Sequence, residues 1–240
     1  RTAIYDIYLY SLSIFSKHIP GYIWFLGSRS LVYKKENISN KNTIFLTILE
    51  SILLSISGFI LSLPFILVNR NLFSKNSLLF LISFCLIMIL LFFGLTITPA
   101  KSFIKKISLK LFSEDYSIPN LLNKYVFYSV LSMFFGWIGG GLLLLFIIRC
   151  FIPVQFTSFL LACGIWGFSG AVSLSLGVLI QGLGIREITM ALLLTVVLTP
   201  IQAASASILF RVILLIGEIF WVIIITYGYN FFYKKRFKGN

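Results

Sequence analysis

Residues 203–231 read AASASILFRVILLIGEIFWVIIITYGYNF, twenty-nine residues that carry only two charges, Arg211 and Glu218. Wound as an α-helix at about 1.5 Å per residue, such a run exceeds the roughly 30 Å of hydrocarbon in a bilayer. Its apolar residues are continuous and do not alternate. An outer-membrane strand would instead show segments of about ten residues with alternating polarity. Working outward, apolar segments of the same kind recur at 184–200 (a short one), 154–179, 125–149, 77–98 and 43–68, with a shorter one at 3–16. About seven apolar helices, some short or broken, predict an all-α polytopic membrane protein in which 1–240 forms a single transmembrane domain.

The composition excludes the alternatives. Hydrophobic residues make up 59% of the chain, mean hydropathy is +1.00 and charged residues are 11%. A soluble domain has about a quarter charged residues and needs them for its polar coat. The chain opens at Arg1 already inside an apolar stretch, so 1–16 is predicted to be a partial first span with further spans upstream. Cys85, Cys150 and Cys163 lie in or beside apolar segments without CxxC spacing, and His18 is the sole histidine. No metal site and no cofactor are expected from such a set.

The net charge of +13 comes from linker lysines and arginines. Cytoplasmic loops carry an excess of these residues. With a cytoplasmic C-terminus the inner side holds fourteen cations, in Lys17–Lys41, Lys101–Lys124 and Lys234–Lys238, and the outer side holds Arg1, Arg70, Lys75 and Arg149. That asymmetry predicts a C-terminus inside and accounts for the basicity without nucleic acid; reading 184–200 as a re-entrant hairpin would instead put the lysines of 99–124 outside, and is disfavoured. The linker 99–124 is predicted to be cytoplasmic, and its part 101–113 mixes lysines with Phe103, Ile104, Ile107, Leu109 and Leu111 as an amphipathic interfacial helix does.

Ionisable residues inside spans are costly unless paired or hydrated, and so they mark candidate sites. Glu50, Arg186, Glu187, Arg211 and Glu218 are such residues. Arg211 and Glu218 are two helical turns apart and share a face. Two cations and three anions would nearly neutralise one another in a shared cavity, either as ion pairs that fix the fold or as a polar path for a charged substrate. The second reading is favoured, because an isolated pair would serve structure with less. Gly136 and Gly140 form a GxxxG, Gly139 and Gly141 crowd the same turn, and Gly164, Gly167 and Gly170 recur in the next span; close helix packing explains them. Pro20–Gly21 and Gly182–Gly184 each interrupt an apolar stretch ahead of a helix with a cation near its start, Arg29 and Arg186. Broken helices at matching positions in two halves of a chain point to a transporter site. Their free N–H groups and dipoles favour an anion such as phosphate.

These residues also carry a resemblance. Lys17-His18-Ile19-Pro20-Gly21-Tyr22-Ile23-Trp24, followed by Gly27 and Arg29, resembles the K-x-x-P-G-x-x-W segment of the flippase-like family, the lysylphosphatidylglycerol synthase transmembrane region found in the membrane half of the multiple peptide resistance factor. Gly182-Leu183-Gly184-Ile185-Arg186-Glu187, with Ala191 and Leu192–Leu194, resembles that family's P-G-G-x-G-x-R-E segment. Ala204–Arg211 resembles its final span with a buried arginine. Ile180-Gln181 stand where the second motif has Pro-Gly, and Ser51 stands where an arginine often follows the acidic residue matched by Glu50.

The resemblance implies a stand-alone, N-terminally shortened member lacking the aminoacyl-transfer domain. It implies a lipid translocase in the cell (inner) membrane of a bacterium or archaeon, moving a phospholipid or lipid-linked sugar between leaflets. In this picture Arg186 and Arg211 would hold the headgroup phosphate, Glu187 and Glu218 would balance them or meet a cationic headgroup amine, and Arg29 and Glu50 would complete the substrate site. Two rivals stay open. One is a non-catalytic scaffold of a lipid or polysaccharide biosynthesis complex. The other is an intramembrane transferase using Glu114-Asp115, the only adjacent acidic pair. A homo-oligomer or a biosynthetic partner is compatible with either. No GxxxxGK[ST] loop occurs, so nucleotide coupling would need a partner.

Overall fold

The computed structural model describes residues 3–14, 16, 22–36, 38–69, 122–180 and 184–231. Among these the chain is all helical, with seven α-helices: α1 (Ala3–Ile14), α2 (Tyr22–Lys34), α3 (Asn40–Val68), α4 (Leu122–Arg149), α5 (Phe159–Ile180), α6 (Ile185–Leu194) and α7 (Pro200–Tyr229). A 3-10 turn, Phe156–Ser158, links α4 to α5. Among the described residues four stretches are long and apolar enough to cross a membrane: Asn40–Val68, Tyr128–Arg149, Phe159–Leu176 and Pro200–Tyr229. The chain is an all-α polytopic membrane protein.

Local chemistry sets the helix starts. Ser39 caps α3, its hydroxyl accepting from the Asn42 N–H at 3.3 Å. At α7, Thr199 and Gln202 form a reciprocal capping box, with Pro200 in the first turn, where its missing N–H is harmless. α6 is preceded by Gly184 at φ +77°, a left-handed conformation that L side chains rarely adopt.

Lipid is as apolar as leucine, so helices associate here by close packing, with small residues at the contacts. α3 and α5 approach most closely, and a Cβ on Gly58 would stand 2.8 Å from the Gly167 carbonyl oxygen. Trp137 of α4 fills notches at Gly58 and Gly170. Gly140 receives the Trp166 indole, Gly141 receives Cys163, and Gly164 receives Phe65. Gly136 and Gly139 have open space, so of the GxxxG pair only Gly140 makes a close contact. Phe65, Ile66, Leu144, Leu145, Ile148, Ile165 and Phe210 are buried in one cluster joining α3, α4, α5 and α7.

Two expectations are corrected. The Lys17–Lys41 segment, counted as a linker in the charge tally, contains α2, the helix expected after Pro20–Gly21. Arg29, counted above as a loop cation, is 9% exposed on that helix. The segment 184–200 forms only a ten-residue helix followed by turns at 195–198. Ten residues rise about 15 Å, roughly half the hydrocarbon thickness. α6 therefore does not cross, and the charge count that used it as a crossing loses that support. The segment 77–98, the linker 99–124 with its amphipathic part, Glu114-Asp115, and the residues Pro20, Gly21 and Gly182 lie outside the described residues.

Candidate functional site: a charged cavity in the bundle

α6 folds back along α7. Its C-terminal end runs into the turn that starts α7, whereas Glu187 in its first turn pairs with Arg211, which lies twelve residues into that thirty-residue helix. The N-terminus of α6 thus stands about midway along α7. At this depth lies a cavity of about 460 Å³, and each of the seven described helices contributes to its wall. The volume falls in the range of small-ligand sites, roughly 300–1,000 Å³.

Glu50 of α3, Arg186 and Glu187 of α6, and Arg211 and Glu218 of α7 all line this cavity. The spacing of Arg211 and Glu218 does put them on one face, as expected. Gly184 also lines it, at the break ahead of α6. Arg29 is joined to the cavity through Glu50, with its Nη1 2.6 Å from Glu50 Oε2. The N–H bonds of Nη1 point off that line, so the contact is an ion pair without a hydrogen bond. With Arg29 included, the charged set becomes three arginines and three glutamates, not the two cations and three anions counted from the spans.

The carboxylate of Glu50 has a second partner that sequence reasoning missed. The Tyr10 hydroxyl of α1 donates to Glu50 Oε1 at 2.6 Å, and the Arg29 guanidinium lies 4.7 Å above the Tyr10 ring. Among many tyrosines, nothing in the sequence set this one apart. Across the cavity, Arg211 donates to Glu187 in an ion pair, with the Arg211 side chain 42% exposed and that of Glu187 18% exposed.

Arg186 behaves differently. Its guanidinium lies 3.8 Å from the centre of the Trp166 ring. Trp166 is itself wedged between Trp137, at 5.4 Å between ring centres, and Phe210, at 4.6 Å. Trp137 is fixed in turn by donating its indole N–H to Ser57 Oγ at 2.9 Å. The aromatic support was also missed, since a tryptophan in an apolar span reads as core. The glycines at 58, 140 and 170 were the only hint, because they mark where large rings must fit.

Such an arrangement can hold a polar or charged group within an apolar bundle. Groups buried here cost several kcal/mol unless paired or hydrated, and the cavity supplies both partners and room. Among the described residues no cluster of metal-ligating side chains is present. No family model, curated protein or solved structure matches the chain.

Proposed function

We propose that this chain is a lipid translocase of the cell membrane, moving the headgroup of a phospholipid or lipid-linked sugar through the bundle while its acyl chains stay in the bilayer. The observation that carries the reading is the cavity itself. Carboxylates and arginines drawn from three helices line about 460 Å³ of space, where a purely structural ion pair would be packed shut. The break at Gly184 and the half-length of α6 support it, because discontinuous helices that end at mid-depth are how transporters present backbone groups to a substrate. The motif resemblance of Gly184–Glu187 and Ala204–Arg211 to the flippase-like family points the same way. In this reading the C-terminus is cytoplasmic and the movement is passive or driven by an ion gradient.

The test is a headgroup-quenching assay in proteoliposomes holding fluorescent phosphatidylglycerol, its lysyl ester or a lipid-linked sugar analogue. An impermeant quencher destroys only outer-leaflet fluorescence unless lipid crosses. Wild type is expected to expose inner-leaflet probe, and Arg211→Ala and Glu187→Gln to slow that exposure. Wild type indistinguishable from empty liposomes for all three lipids would remove translocation by this chain alone and return the scaffold reading.

A further inference from the structure

Among the described residues Arg186 lines the cavity without a hydrogen-bond acceptor or an ion-pair partner. An arginine carries five N–H donors. Among the described residues none of those on Arg186 is hydrogen-bonded, and no carboxylate lies within ion-pair distance of it. Its nitrogens are not sealed off either: the buried donors without a partner are on Arg29 and Trp166, not on Arg186. Arg186 lines the cavity, so these unbonded donors stand at its wall. The Trp166 ring lies against the guanidinium, with its centre 3.8 Å from Cζ, and offers its π face without occupying the N–H donors.

A second set of donors stands beside it. The first N–H groups of α6 have no acceptor within their own helix, and Gly184 at the cap position offers no side chain to receive them. Gly184, Ile185, Arg186 and Glu187 all line the cavity. Backbone donors at the positive end of a helix, next to an arginine edge, suit a tetrahedral oxyanion in shape and charge. Arg211 is placed otherwise, because Glu187 occupies it. Glu187, Glu218 and Arg211 act on Arg186 through space without touching it.

We propose that Arg186 and the first turn of α6 form an oxyanion subsite, taking the phosphodiester of a lipid headgroup or a free phosphate, and that Arg211 serves mainly to hold Glu187 away from it. This deepens the transport reading but stands on different measurements.

The test measures binding to the purified full chain in detergent, by calorimetry and by tryptophan fluorescence, which Trp166 should report. The probes are dihexanoyl phosphatidylglycerol, inorganic phosphate and dihexanoylglycerol, which lacks the phosphate. Wild type is expected to bind at least one phosphorus-bearing probe and not the neutral one. Arg186→Gln should weaken that binding by about tenfold or more, and Arg186→Lys by less. Arg211→Gln should weaken it less than Arg186→Gln does, and Arg149→Gln, at the far end of α4, should not change it.

Preference for the phosphodiester names a lipid headgroup as the ligand, and preference for phosphate names the free ion. The subsite is overturned if Arg186→Gln binds as wild type does, if Arg211→Gln costs more than Arg186→Gln, or if the neutral probe binds as tightly as the phosphodiester. The last comparison needs only wild type, so it decides even where Arg186→Gln fails to fold. Anion binding through Arg186 without lipid movement keeps the subsite and removes translocation. Lipid movement without such binding removes the subsite and keeps translocation.

Discussion

Arg29 of α2 and Glu50 of α3 approach to 2.6 Å, and the same carboxylate accepts the Tyr10 hydroxyl of α1, so one glutamate ties three helices at the edge of the cavity. Most of the Arg29 side chain is shielded, whereas that of Glu50 keeps 30% exposure. A buried pair of this kind gives modest net stability, but removing one partner strands the other charge.

Arg29→Met is therefore expected to destabilise the protein by about 3 kcal/mol, through the Glu50 charge left behind. The double substitution Arg29→Met with Glu50→Gln should recover most of that loss. Thermal unfolding of the purified variants in one detergent measures both. A double variant no more stable than the single one would show that the charges are not coupled.

The glycines of the bundle divide into two groups by the space around them. A Cβ at Gly58 would stand 2.8 Å from the Gly167 carbonyl oxygen and 2.9 Å from the Trp137 ring. Gly58→Ala should cost roughly 1–3 kcal/mol through overpacking. Gly139 has nothing within 4 Å, so Gly139→Ala should be neutral or gain up to about 1 kcal/mol of helix propensity. Unfolding midpoints that moved in the same direction for both would contradict this helix packing.

Thiol labelling provides a check that needs no stability measurement. Cys150, in the turn after α4, is exposed, and Cys163, packed against Gly141, is buried. In a Cys85→Ser background, a maleimide should modify Cys150 readily and reach Cys163 only after denaturation. Equal labelling rates at the two sites would mean that α4 and α5 are not packed as described.

A smaller effect is expected at Ser55, whose hydroxyl donates to the Ala171 carbonyl at 3.1 Å and lies 2.8 Å from Ser175 Oγ. Interhelical hydrogen bonds of this kind average about 0.6 kcal/mol in membranes. Ser55→Ala should lower stability by about that amount, and Ser55→Val by more, because its branched side chain adds bulk where α3 and α5 meet. A Ser55→Ala loss above about 2 kcal/mol would place more weight on this bond than such bonds carry.

Much of this architecture was legible because the bilayer imposes a simple constraint: apolar runs must be long, and charges within them are conspicuous. Arg211 and Glu218 could be placed on one face from their spacing alone, and Glu50, Arg186 and Glu187 stood out as charges that needed partners. α2 was only half legible: a helix carrying Arg29 was expected after Pro20–Gly21, but the same stretch was also counted as a charged linker. Its sequence, YIWFLGSRSLVYK, is too short and too polar to read as a span, and its cation was assigned to a loop. The role of Trp166 was invisible, because an aromatic residue in an apolar run carries no sign of what lies on its face. Tyr10 shared that fate: its hydroxyl acquires meaning only when α1 comes to rest beside α3.

The near-contact of the Gly58 and Gly167 backbones has a mechanical consequence. Two helices whose main chains touch, with Trp137 keyed into both, cannot slide or separate without breaking their packing, so α3 and α5 act as a fixed wall. The other described helices complete the cavity, α6 and α7 among them. α6 starts at the left-handed Gly184, and α7 is covered over little of its length by the described residues. The wall carries Glu50, whereas the other charges that line the cavity, Arg186, Glu187, Arg211 and Glu218, are all carried by α6 and α7.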